Sequence, residues 1–486
     1  MFHRSILFAA VVFSLAASAV SASDFPSLIS KVPGGANSLV VIDTDGILAS
    51  PVATRNGWEK RFNDGSADRP LYLPPEADKV VVASQLDLVR GCTRTWEVAL
   101  MGMKEPISMR LVARAEGGYT DEINGVKVAW VPSDAYFIEV DPQTLGLMAP
   151  ANRQAIARWS ERATRPSEVV LSDYLKAAAT LVGQGPQAVM AIDAADAIQT
   201  HRVRARLEQS EFAKSFDLES TVQLLTALKG LVLQLTFTGK VQAVARIDFG
   251  VPVTLKENVA RGLVLGALED MELSLPGTEK WTCTVSGNSI TMSGEMETDA
   301  LRRVFTLMEV PTTKFSSLKD EKIEDDSQAT IARNSMVYFQ SVDSMLTDLK
   351  KRTKSNTAGD AGWVERYAAK IDRLPVLHVD EELLTWGEKV TETLRIIAGS
   401  RKVTNMQGAS AERATRADAG FSSNNDGYGY RAYNYTSPRA AEANAGNVRA
   451  DATASGTTVK LQGWTLIDNA TLEIRKEMTK RYNTEF

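Results

Sequence analysis

Two hydrophobic rhythms divide the chain. As far as residue 312, short apolar runs of strand length alternate with stretches in which apolar residues recur every three or four positions. The run Ser38-Leu39-Val40-Val41-Ile42-Asp43 is uninterrupted until its terminal Asp, and Ala188-Val189-Met190-Ala191-Ile192-Asp193 repeats that form 150 positions later. Each leads into a helical stretch. Strands are then predicted over 80–86 and 96–101, a helix over 106–115, short strands over 120–123, 126–130 and 136–140, and a helix over 151–162. The second round predicts a helix over 218–228, strands over 231–237 and 241–249, a helix over 255–269, a hairpin over 282–292 and a helix over 298–308. Asn124-Gly125 and Gly287-Asn288 supply the positive φ that tight hairpin turns require.

The order of elements predicts an α+β protein in which one unit, mostly antiparallel with helices on one face, is used twice: 23–165 and 166–312. From 313 the rhythm changes. Ile331, Ser335, Tyr338, Val342, Met345 and Leu349 step by three and four, as do Trp363, Tyr367, Ile371 and Leu374, and then Val379, Leu383, Trp386, Val390, Leu394 and Ile397. An all-helical module over 313–400 follows, with Asp380 placed to cap its last helix. Residues 401–460 hold almost no aliphatic side chain larger than Ala, so a flexible low-complexity loop is expected there. Trp464, Ile467, Ile474, Met478 and Tyr482 then share a face, which predicts a C-terminal helix over 461–486 packed back on the module.

Residues 1–22 have the form of a secretory signal. Arg4 precedes an apolar stretch from Ile6 to Ala19, and Val20-Ser21-Ala22 offers small residues for cleavage near Ala22. The expected location is therefore exported, periplasmic or extracellular. No later stretch reaches the ~18 apolar residues of a membrane span. In an oxidising compartment Cys92 and Cys283 could be bridged, which would staple the two predicted units together; the alternative is two half-buried thiols.

Charge narrows the partners. The 55 basic and 60 acidic residues leave a net charge of −5, with no global basic field for nucleic acid. Three histidines and two cysteines give little material for a metal site, and neither Gly-x-Ser-x-Gly nor a Walker-type loop occurs. His201 falls in a basic helical stretch and reads as a solvated surface. His378, between Leu377 and Val379, reads as a packing or capping residue. Tyr428, Tyr430, Tyr433 and Tyr435 with Arg431 form an aromatic-basic cluster suited to stacking on sugar rings.

The segment Val40-Val41-Ile42-Asp43-Thr44-Asp45-Gly46 resembles the first motif of haloacid-dehalogenase-type phosphatases. That resemblance implies Asp43 as nucleophile and Asp45 as acid/base, with Mg²⁺ between them. It also asks for a Ser/Thr closing a second strand, a phosphate-neutralising Lys and a further acidic pair after a strand. A strand-ending Asp that caps the next helix accounts for the same letters. The ending Arg475-Lys476-Glu477-Met478-Thr479-Lys480-Arg481-Tyr482-Asn483-Thr484-Glu485-Phe486 is similar to the C-termini of uncharacterised exported planctomycete proteins, as is the opening Pro33-Gly34-Gly35-Ala36-Asn37-Ser38. That likeness implies no activity. The reading expected is a non-enzymatic binding or scaffold protein of the cell envelope, without cofactor, whose partner is an envelope protein or glycan.

Overall fold

The computed structural model describes residues 24–63, 76–89, 92–165, 168–208, 217–271, 273–308, 328–350, 361–374, 376, 378–418 and 438–486. Helix α1 (Phe25–Ser30) leads into strand β1 (Ser38–Asp43), three short helices, α2 (Thr44–Leu48), α3 (Pro51–Arg55) and α4 (Trp58–Asn63), and then β2 (Ala77–Asp87) and β3 (Thr93–Met103). Next come α5 (Met109–Glu116), β4 (Tyr119–Ile123), β5 (Val126–Val131), β6 (Ala135–Asp141), β7 (Thr144–Ala149), α6 (Arg153–Ala163) and α7 (Asp173–Ala179). A second series follows: β8 (Ala188–Asp193), α8 (Thr200–Glu208), α9 (Leu218–Thr226), β9 (Leu228–Phe237), β10 (Val241–Phe249), α10 (Glu257–Asp270), β11 (Thr282–Ser286), β12 (Ser289–Glu295) and α11 (Thr298–Phe305).

The strands do not form two sheets. They join into one antiparallel sheet of 12 strands in the order β11-β12-β10-β9-β8-β1-β2-β3-β7-β6-β5-β4. The seam is the β1–β8 pair, which sets Val40 opposite Met190. Its ends are closed reciprocally: Asp43 N–H donates to Gln187 O, and Asp193 N–H to Asn37 O, both at 2.8 Å.

The hairpins differ from expectation in one respect. Asn124-Gly125 closes β4–β5 and Gly287 the β11–β12 turn, all three with positive φ. Yet β12 lies beside β10, whereas β7 and not β5 lies beside β3. The β4–β5 hairpin is therefore an addition at the outer end of the first wing.

Helices lie on both faces of the sheet rather than on one. One face buries Val40, Ile42, Val80, Val82, Met101 and Phe137 under α2–α5, continuing as Leu235 and Phe237 under α9–α11. The opposite face buries Leu39, Val41, Val81, Leu100 and Ile138 under α1, α6 and α7. Burial on two sides explains why the central strands read as continuous apolar runs instead of alternating.

Four helices complete the chain: α12 (Gln328–Lys350), α13 (Ala361–Asp372), α14 (Glu381–Asp418) and α15 (Pro438–Tyr482). Their core is built from Tyr338, Val342, Met345, Trp363, Tyr367, Leu383, Trp386, Leu394, Ile467 and Met478, with Phe339 and Phe486 added. The loop expected over 401–460 is corrected in part: 401–418 is the far part of α14 and 438–460 the near part of α15, and 419–437 lies outside the described residues. Ala and Arg recur through both segments, and high intrinsic helix propensity needs no large side chain. The C-terminal helix thus starts at Pro438, a residue suited to a first helical turn. With 38 and 45 residues, α14 and α15 run about 57 and 68 Å, and they pack along one another.

Candidate functional site

The phosphatase-like motif sits where β1 leaves the sheet. Asp43 ends the strand with extended backbone, and its Oδ1 accepts the Gly46 N–H at 3.0 Å, capping α2. A Cβ on residue 46 would lie 2.4 Å from Asp43 Oδ2, so a side chain there would push the capping carboxylate aside. Asp45 is half exposed and pairs with Lys104 Nζ at 2.7 Å. A helix cap and a surface ion pair thus account for Asp-x-Asp-Gly. In the second wing Asp193 plays the milder form of this part, accepting the Ala195 N–H at 3.1 Å. Among the described residues, no group of three or more His, Cys, Asp or Glu side chains is placed to hold a metal ion.

Of the two readings of the cysteine pair, the bridge is not formed. Cys92 and Cys283 are both free. Cys92 lies in the β2–β3 connection and Cys283 on β11, with β1, β8, β9, β10 and β12 between them. Six strand spacings of about 4.8 Å exceed 25 Å, far beyond disulfide reach. Burial raises both thiol pKa values, offset at Cys92 by Arg366. His201 is exposed on α8, and His378 occupies a positive-φ turn (φ 54°) just before α14. Tyr428, Tyr430, Arg431, Tyr433 and Tyr435 lie outside the described residues.

Two polar constellations were not legible in advance as groups. On the face of the second wing, Tyr174 OH donates to Asp248 Oδ2 at 2.8 Å, Arg246 Nε to the same oxygen at 3.0 Å, and Ser289 Oγ to Asp248 Oδ1 at 2.6 Å. Burial and then the Asp248 carboxylate push the Tyr174 phenol upward, so it remains a proton donor. The cluster ties α7 to β10 and β12. The alternation Arg246-Ile247-Asp248 was the available signal, since residues two apart on a strand share a face.

The second constellation gathers the chain's end. Asp380 Oδ2 accepts Tyr482 OH at 2.7 Å and Arg481 Nη1 at 2.8 Å, while the Asp380 N–H donates to Ser335 Oγ at 2.9 Å. Arg481 Nη2 also donates to Glu382 at 2.7 Å and Glu477 at 2.9 Å. Burial alone would raise the Asp380 pKa, but the hydrogen bonds from Tyr482, Arg481 and the Glu382 N–H hold it below its ordinary value. Burial and the bond to Asp380 push Tyr482 up to about 12. Arg475 lies over the Phe339 ring at 5.1 Å, Phe486 meets that ring edge-on at 6.0 Å, and Met478 is fully buried. Arg475, Met478 and Phe486 are thus packing residues of the bundle.

No protein-family model matches the chain, and no curated protein matches it. Among solved structures, crystal form I of TP0453 aligns with a TM-score of 0.35 at 13% identity, over 60% of this chain and 96% of that one. Crystal form III of TP0453 gives 0.35 at 12%, over 58% and 98%. Similarity of that degree establishes neither fold nor function.

Proposed function

We propose that the chain is an exported, non-enzymatic binding or scaffold protein of the cell envelope, and that the paired helices α14 and α15 are its binding element. The observation that supports this is their length. The three-and-four stripe of large apolar residues ends at Ile397 in the sequence of α14 and resumes at Trp464 in that of α15, whereas the helices run on to Asp418 and back to Pro438, about 30 Å further. A helix pair of that length, with few large apolar residues along it, offers a partner a long helical surface. The candidate carboxylates favour the same reading, because Asp43 is engaged as a cap and Asp45 by Lys104.

The test replaces 401–457 with a short Gly/Ser turn. The expected result is an unchanged melting temperature, together with loss of co-fractionation with a cell-envelope fraction. Unchanged co-fractionation of a folded, shortened protein would overturn the assignment. The signal expected over 1–22 lies outside the described residues. It is checked separately, by mass spectrometry of the mature N-terminus.

A further inference from the structure

At the β4 edge of the sheet three aromatic residues lie side by side. The register sets Tyr119 of β4 opposite Trp130 of β5, and Trp130 opposite Tyr136 of β6. Tyr119 and Trp130 are stacked, with ring centroids 5.3 Å and planes 27° apart. Tyr136 is buried, whereas Tyr119 is 54% exposed, so the outer side of the stack meets water. The approach is enforced by the backbone. Gly117 takes a left-handed φ of 74°, and a Cβ on Gly118 would fall 1.8 Å from the Trp130 carbonyl oxygen. Only glycine lets β4 lie this close and present Tyr119 flat against the indole.

Asp121 follows two positions along β4, on the same face as Tyr119. It pairs with Arg153 at the start of α6, whose Nη2 also reaches Glu122 O at 3.5 Å. An exposed tyrosine alone is ordinary. A tyrosine stacked in parallel on a tryptophan, beside a planar carboxylate and a planar guanidinium, combines an apolar plate with bidentate hydrogen-bonding groups. That combination matches one ligand chemistry. The pyranose rings of β-linked glycans carry equatorial hydroxyls around an apolar C–H face. The face can lie on the aromatic plate while the hydroxyls bond to Asp121 and Arg153. Nucleic-acid bases also stack on aromatic rings, but a phosphate backbone needs a surplus of positive charge. Here Asp121 and Arg153 balance one another on the face of the stack, and the whole chain is net acidic.

We propose that the Tyr119–Trp130 stack, with Asp121 and Arg153, binds a pyranose unit of a neutral β-linked glycan. The site lies on the sheet and shares no residue with α14 or α15, so its failure would leave the reading of those helices untouched.

The experiment titrates the full chain by calorimetry with two probes, cellotetraose and the β-1,4-linked tetramer of N-acetylglucosamine. Saturable binding of at least one is expected. Tyr119→Ala should weaken it about tenfold at an unchanged melting temperature, Tyr119→Phe should retain it, and Arg153→Ala should weaken it. Absence of binding by both tetrasaccharides, or binding that survives Tyr119→Ala, would overturn the proposal. So would self-association of the protein that Tyr119→Ala abolishes while neither sugar binds, because the stack would then be a protein contact.

Discussion

Taking away the Asp43 carboxylate leaves the Gly46 N–H at the start of α2 without the acceptor it has at 3.0 Å. N-cap losses of this kind cost about 1 kcal/mol, so Asp43→Ala should lower the unfolding free energy measured in urea by that amount. Gly46→Ala should cost at least as much, because the added Cβ meets the same carboxylate at 2.4 Å. The residue that caps α2 is also the one a phosphatase would need as nucleophile, and hydrolysis of p-nitrophenyl phosphate with Mg²⁺ separates the two roles. Wild type and Asp43→Asn are expected to give the same rate; Mg²⁺-dependent turnover that disappears in Asp43→Asn would make the carboxylate catalytic. The thiols give a second prediction at this scale. A thiol reagent in denaturant, without reductant, should count two free cysteines. In the folded protein at pH 7 the reaction should be slow, since burial raises both pKa values and holds the thiolate fraction down.

At the scale of elements, the Asp380 cluster locks α12, α14 and α15 together, and its pH behaviour follows from the directions of two shifts. Asp380 has a folded pKa below its ordinary value. Its contribution is therefore full above the unfolded pKa of about 3.9, and is lost as pH falls through the lower folded value. Tyr482 is raised to about 12. Its contribution is full below the unfolded value of about 10, and is lost as pH rises toward the folded one. Asp380→Ala should cost about 3 kcal/mol at pH 7 and flatten both limbs of the stability curve. A mutant whose curve keeps the wild-type shape would show that other groups set those limbs.

The helices around this cluster were legible because their apolar residues repeat every three and four positions, and large buried side chains such as Tyr338, Trp363 and Trp386 mark the stripe. The distal parts of α14 and α15 were not, because their residues are small and polar, and periodicity carries no signal where propensity alone shapes the chain. Strand β7 escaped for a related reason: Gly146 interrupts its apolar run. A Cβ there would lie 2.6 Å from the Trp159 ring, a contact between elements that a local pattern does not contain. The Tyr119–Trp130 stack was hidden likewise, because its members are 11 positions apart and meet only through strand register.

For the whole molecule, the reciprocal bonds from Asp43 and Asp193 relate the two wings by exchange of residues 150 positions apart. We propose on that basis that the wings descend from one duplicated unit, to which the first wing has added β4–β5. The joint between sheet and bundle is a separate matter. Arg302 and Arg303 of α11, a helix seated on the sheet, reach into α12: Arg302 Nη2 donates to Asp348 Oδ1 at 2.7 Å and Arg303 Nη2 to Asp348 O at 2.8 Å. The Asp348 side chain is 2% exposed and that of Arg302 10%. A buried pair like this one contributes little against an apolar substitute, but removing one partner strands the other's charge and costs about 3–5 kcal/mol. Because the pair spans the joint, the cost of Asp348→Ala falls on the coupling between the blocks rather than on either core. Calorimetry should therefore turn one cooperative transition into two, the bundle melting first. Should the mutant instead melt in a single transition at lower temperature, the coupling would rest on another contact of the joint, Trp363 Nε1 to Ser274 O at 2.9 Å.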